Sequence, residues 1–107
     1  MENKDFIKEL NRLAEEHEIY NAEDVWDTGT ILDDFAKNAK VVKWTNKTDS
    51  RRWYIMHEDV YKYNDMYIGV CQVGELKSES MSVSDTMVTV EFYEMKPVES
   101  VTYVRKK

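Results

Sequence analysis

Ala36-Lys37-Asn38-Ala39-Lys40-Val41-Val42-Lys43-Trp44-Thr45, residues 36–45, is the stretch in which the chain changes its periodicity. Upstream, apolar residues recur at three- and four-residue spacing, the mark of one helix face. Downstream, β-branched and aromatic residues take over, often in alternation, as in half-buried strands. Helices first and strands afterwards predict an α+β fold, with N-terminal helices packed on one face of an antiparallel sheet of about four to six strands.

Working back from this point, Ile31, Leu32, Phe35, Ala36 and Ala39 form the apolar side of a helix. Thr30 begins it, and Asp33 three residues on is a capping-box signature. Lys37 and Lys40 suit its negative C-terminal end. Further back, Phe6, Ile7, Leu10, Leu13 and Ala14 make a second apolar stripe, which Asn3 or Asp5 can cap. Between the two, Asn21 is a candidate cap for a short turn carrying Val25 and Trp26.

Working forward, Lys40–Thr45 reads as a strand and Asn46–Ser50 as a polar loop. Arg52–His57 and Val60–Tyr63 read as one interrupted strand or two short ones. Asn64-Asp65 is a turn and Met66–Val73 a strand, so the order is that of a meander. The serine-rich segment 74–85 reads as a loop. Thr86–Met95 alternates most clearly, with Val88, Val90 and Phe92 on one side. Pro97 stops or bends that ladder, and 98–104 can pair back. Arg105-Lys106-Lys107 reads as a mobile tail.

At 107 residues, 42% hydrophobic and with 13 aromatics, the chain is expected to be a single domain, 1–107, divided into a helical acidic part (1–40) and a β-rich part (41–107). One cysteine, Cys71, allows no internal disulfide, which favours a reducing compartment. No stretch has the ~20 apolar residues of a membrane helix, and Met1–Asp5 does not open a signal peptide. The expectation is a cytoplasmic protein without membrane contact.

The net charge of −6 is concentrated. Residues 1–40 carry 11 acids against 5 bases, whereas residues 41–107 carry 10 of each. No Lys or Arg occurs between Arg12 and Lys37, an interval that holds Glu15, Glu16, Glu18, Glu23, Asp24, Asp27, Asp33 and Asp34. Such a field repels phosphates and attracts a basic partner. Tyr20 and Trp26 lie among these acids and are candidate apolar anchors for an interface.

Motifs for chemistry are sparse. Gly29, Gly69 and Gly74 are the only glycines, so no dinucleotide fingerprint or P-loop can be written. His17, His57 and Cys71 are too dispersed for a metal signature. Cys71 with His57 is the one nucleophile–base pair available, but a thiol within Tyr67-Ile68-Gly69-Val70-Cys71 suits a core. Asp85 with Glu94-Met95-Lys96 has the acid, acid-x-Lys order of a magnesium nuclease, for which the bland reading is a solvated strand end. Trp44, Arg51, Arg52, Trp53, Tyr54, Tyr61 and Tyr63 interleave bases with aromatics, as single-strand binders do. The neutral charge of that half and the acidic helices oppose direct nucleic-acid binding. These features point to no enzyme and no cofactor.

Three stretches carry a family resemblance: Tyr67-Ile68-Gly69-Val70, Ser80-Met81-Ser82-Val83-Ser84-Asp85, and the ending from Glu91-Phe92-Tyr93 to Tyr103-Val104. From Arg52-Trp53-Tyr54 onward, roughly half the chain, the sequence resembles small accessory proteins encoded by phages and prophages of low-GC Gram-positive bacteria. The resemblance implies a protein that binds host or phage machinery. Many that block host defences, anti-CRISPR proteins among them, are acidic and occupy nucleic-acid grooves. It transfers no site residue. The resulting expectation is an inhibitor of a nucleic-acid-handling host protein, with the acidic helical face seated on a basic surface. The alternatives are an assembly module, homodimeric through a sheet edge within 86–104, and a small metal-dependent nuclease.

Overall fold

The computed structural model describes residues 3–21, 28–98 and 102–106. Helix α1 spans Asn3–Glu16 and α2 spans Ile31–Asn38. Five strands follow: β1 Lys40–Ser50, β2 Tyr54–Tyr63, β3 Met66–Leu76, β4 Glu91–Val98 and β5 Thr102–Arg105. They form one antiparallel sheet in the order β1-β2-β3-β4-β5, a meander as expected.

The stripe of α1 buries Ile7, Leu10, Leu13 and Ala14, and α2 buries Leu32 and Phe35. Both helices pack on the same sheet face, where Tyr63, Met66, Ile68, Val70, Val90 and Phe92 complete one apolar cluster. Phe35 lies at its centre, edge-on to Phe92 and tilted against Tyr61 and Tyr63. Each such side chain withdrawn from water contributes about 1.5–3 kcal/mol. Ala36, assigned to this side from its spacing, is exposed.

Helix α1 also seals a sheet edge. The Asn11 side chain donates to the Phe92 carbonyl and accepts from the Phe92 N–H, both at 2.7 Å. The Val90 N–H donates to the Ile19 carbonyl at 2.8 Å. One amide and one loop carbonyl thus stand in for a neighbouring strand along the first part of β4. Further along, β5 takes over from Met95 to Val98.

Several sequence expectations need correction. Asn46–Ser50 is not a loop but the second half of β1, pairing Lys47–Ser50 with Ile55–Glu58. Its polarity reflects an exposed edge strand, and the hairpin turn is the shorter Arg51–Trp53, closed by Arg51 N–H to Tyr54 C=O at 2.8 Å. Residues 54–63 make one strand without a break. β4 begins at Glu91, not Thr86, because Val83–Thr86 winds into a 3-10 turn and Met87 follows at φ 58°. Pro97 does not end β4. It lies beyond Met95, the last residue paired with β3, so its missing N–H costs that ladder nothing. Arg105 and Lys106 are not a loose tail. Arg105 pairs with Glu91 at 2.8 Å, and the Lys106 backbone donates to the Glu94 carbonyl.

β1 is strongly irregular. Its register against β2 slips between Val41 and Lys43 and again between Lys43 and Lys47. Thr45 adopts φ 49°. The Thr45 N–H released from the ladder donates to buried Asp59 at 2.7 Å, and the Asn46 side chain donates to buried Glu58 at 2.7 Å. Bulges bend a strand and raise its twist. Here β1 curls until the Asn46 amide also reaches the Tyr103 carbonyl of β5, at 3.2 Å. The face of the sheet turned away from the helices is therefore concave.

Candidate functional site

The expected acidic surface begins where α1 ends. The Ile19 N–H donates to the Ala14 carbonyl at 2.9 Å, and the Glu18 N–H to the Glu15 carbonyl at 3.2 Å. This nested pair of bonds is a Schellman ending, whose central residue must take the left-handed conformation, usually as glycine. In this chain that residue is Glu18, at φ 51°. Glu15, Glu16 and Glu18 are all exposed, and the last turn of α1 holds no basic residue. The helix dipole presents its negative end here, so each carboxylate sits where acids are disfavoured.

Some of this charge is answered locally. Arg12 bonds Glu16 at 3.0 Å and also pairs with Glu9. Glu15 and Glu18 have no ion pair or side-chain hydrogen bond among the described residues. Tyr20 lies half-buried just beyond.

Asp33 and Asp34 are engaged elsewhere. Asp33 accepts the Thr28 N–H at 3.0 Å, the Thr28 hydroxyl at 2.8 Å and the Gly29 N–H at 2.7 Å. These bonds, that from the Thr28 N–H foremost, hold its pKa below the ordinary aspartate value. The Thr30 hydroxyl accepts the Leu32 N–H at 3.2 Å, so the start of α2 is capped by Thr30 and Asp33 together. Asp34 accepts the Tyr63 hydroxyl and the Asn38 amide, the latter at 2.8 Å. Glu23, Asp24, Trp26 and Asp27, and the turn expected to carry Val25, lie outside the described residues.

The other constellations separate. Strand alternation places His57 with Gln72 on one face and Glu58 with Cys71 on the other. The His57 ring lies over Gly74, and the structure forms no Cys71–His57 hydrogen bond. Burial first, then Glu91 and Glu58, push the Cys71 thiol pKa up, away from the reactive thiolate. Asp85 accepts the Ser82 N–H at 2.8 Å, which closes the 3-10 turn and lowers its own pKa. Glu94 pairs with Lys106 at 3.2 Å. Among the described residues no three His, Cys, Asp or Glu side chains come together as metal ligands do. Of the proposed stacking aromatics, Tyr61 and Tyr63 belong to the helix-facing core, while Trp44 and Trp53 stand exposed. On the outer side of β4, α1, Ile19 and β5 take the place of a free edge, and β5 is the edge strand at that end of the sheet.

The concave face holds a cleft that the sequence reading does not single out. It has a volume of about 670 Å³ and takes side chains from all five strands. On its floor Glu58, only 7% exposed, accepts the Tyr93 hydroxyl and the Asn46 amide. Burial, then this bond to Glu58, raises the Tyr93 pKa. The Arg105 guanidinium sits 3.8 Å from the centre of the Tyr93 ring. The one sequence signal for this site is the Glu58-Asp59 doublet in the middle of an otherwise core-forming strand.

Comparison of the chain with family models, with curated proteins and with solved structures gives no match. No helix among the described residues is long and apolar enough to cross a membrane.

Proposed function

We propose that the protein is an accessory binding protein of the phage type. It would inhibit a nucleic-acid-handling host protein by laying the acidic end of α1 on that partner's basic groove. The observation that carries this reading is Glu18. A surface acid occupies a left-handed position that favours glycine, at the helix end that disfavours acids, beside exposed Glu15 and Glu16. Both the backbone conformation and the helix end disfavour that choice. Local rules broken at an exposed position are the usual trace of selection for binding. A lysine- and arginine-rich groove would supply the missing counter-charge, and steric occlusion would follow without chemistry.

The test is affinity capture from a lysate of a low-GC Gram-positive host, comparing the wild-type chain with Glu15→Lys/Glu18→Lys. The reading expects a nucleic-acid-binding protein that is retained by the wild type, released as salt rises, and lost with the folded double variant. A partner that ignores both salt and charge reversal would refute the acidic-face mechanism.

A further inference from the structure

The chain carries a second candidate site on the side opposite the helices, and its residues define the ligand's charge. Glu58 is a buried carboxylate that takes part in no ion pair among the described residues, although Lys47 is its cross-strand partner. A carboxylate offers about four acceptor positions. Tyr93 and Asn46 fill one on each oxygen, and Glu58 lines the cleft. Tyr54, Tyr93 and Tyr103 supply aromatic walls, and Met56 and Met95 add soft apolar ones.

Four of the other charges lining the cleft are paired with one another. Asp49 pairs with Arg51 at 2.8 Å, and Glu91 pairs with Arg105 at 2.8 Å. His57 lines the rim from the opposite strand face, and Lys47, exposed, stands on β1 in register with Glu58 without an ion pair among the described residues. The one buried charge in the cleft is thus the carboxylate at the floor, and Lys47, which balances it in sign, is exposed on the edge strand.

The chain also supplies an internal example of what the mouth accepts. Arg105, on β5, lays its guanidinium on the Tyr93 ring while pairing with Glu91. Cation on ring with an acid in reach is how proteins recognise organic cations. The Arg105 side chain is 60% exposed and held by a short edge strand, so a competitor can displace it.

We propose that the concave cleft binds an organic cation with a slender apolar stem, a guanidinium or alkylammonium group. Glu58 serves as counter-ion, the tyrosines as walls and Arg105 as the resident group that the ligand displaces. The volume of about 670 Å³ lies within the range of small-molecule sites. An anion would meet buried Glu58 without a buried base, and a neutral apolar ligand would dry that carboxylate without compensating it. The inference does not rest on the acidic end of α1 and survives if that reading fails.

The experiment is a ¹H–¹⁵N NMR titration of the intact chain with agmatine, with glutarate as the anionic control. Agmatine should shift the Glu58, Cys71, Tyr93 and Arg105 resonances saturably, and glutarate should not. Glu58→Gln should weaken agmatine by at least about tenfold, since a buried charge partner is lost. Arg105→Gln should tighten it severalfold by removing the internal competitor. Shifts that fail to saturate, equal binding of glutarate, or a folded Glu58→Gln that binds like the wild type would overturn the proposal. If Glu58→Gln does not fold, Arg105→Gln decides: unchanged or weaker agmatine binding rejects the displacement model.

Discussion

Replacing Glu18 by glycine should make the protein more stable and a worse binder. An L-residue in the left-handed region costs roughly 1–2 kcal/mol, and Glu18 sits there at φ 51°. Glycine escapes that cost but gives back roughly 0.5–1 kcal/mol through the greater freedom of its unfolded chain. The net backbone gain is therefore about 0–1.5 kcal/mol, centred near 0.75. Removing a carboxylate from the negative end of α1, next to Glu15 and Glu16, adds to it with the same sign. For a chain of this size, 1 kcal/mol corresponds to a rise in Tm of roughly 4–8 °C. Urea titration followed by circular dichroism measures the free energy, and the midpoint should move up at constant slope. The same variant should lose affinity for the captured partner. Gained stability with lost binding excludes misfolding as the cause. A Glu18→Gly protein that is no more stable would refute the Schellman assignment, and one that is stabilised yet binds undiminished would remove Glu18 from the interface.

Other substitutions test other parts of the structure. Asn11→Ala deletes both bonds to Phe92 and should cost about 2 kcal/mol, with faster hydrogen exchange at the Phe92 amide; an unchanged urea midpoint would contradict the edge-sealing role. Gly69→Ala brings a methyl within 2.9 Å of Met95 Sδ and closer still to the Tyr93 ring, so it should cost about 1–3 kcal/mol and perturb the Tyr93 resonances first. Burial, then the bond to Asp34, pushes the Tyr63 hydroxyl pKa up to about 12 from 10.0. The folded state holds that proton more tightly than the unfolded one, so stability is full below pH 10 and declines as pH rises towards 12. Tyr93, raised too, adds to the loss on the alkaline side. Tyr63→Phe should flatten the stability profile between those values, and an unaltered profile would sever the Tyr63–Asp34 link.

The helices were legible because apolar residues recur at helical spacing, five on one face of α1 and Ile31, Leu32 and Phe35 on one face of α2. The capping role of Thr30 was legible for the same local reason. β3 and the turn at Asn64-Asp65 could be read from alternation and turn chemistry, whereas β2 read as interrupted because Glu58-Asp59 breaks its apolar pattern. The second half of β1 could not be read as a strand. Lys47–Ser50 is polar at every position because these edge-strand residues are all exposed and leave no buried row to betray a strand. The start of β4 was misplaced because Val88 and Val90 alternate as a strand does, while the capping of Val83–Thr86 by Asp85 takes effect only in the folded turn. The cleft was illegible for a different reason: Glu58, Tyr93 and Arg105 are far apart in sequence and meet only because bulges in β1 curl the sheet. Asp33 and Asp34 looked like surface charge and are instead hydrogen-bonded, which composition cannot reveal.

The placement of α1 bears on how binding would work. Its final turn is pinned on both sides of Glu18. The Ala14 and Glu15 carbonyls accept bonds from Ile19 and Glu18, and the Ile19 carbonyl itself accepts the Val90 N–H at the β4 edge. The acid is therefore carried on a turn locked to the sheet, not on a loose tail. A partner that binds it need not immobilise that backbone, and this saving is the usual source of affinity in preorganised interfaces. A flexible acidic segment could present the same charge without the left-handed strain at Glu18. On the proposed reading, the position of this carboxylate, as well as its charge, would be what a partner reads. Moving the acid by one residue, as in Glu18→Gly/His17→Glu, keeps the net charge and the helix ending. It should recover little of the binding lost in Glu18→Gly, whereas full recovery would mean that bulk charge alone suffices.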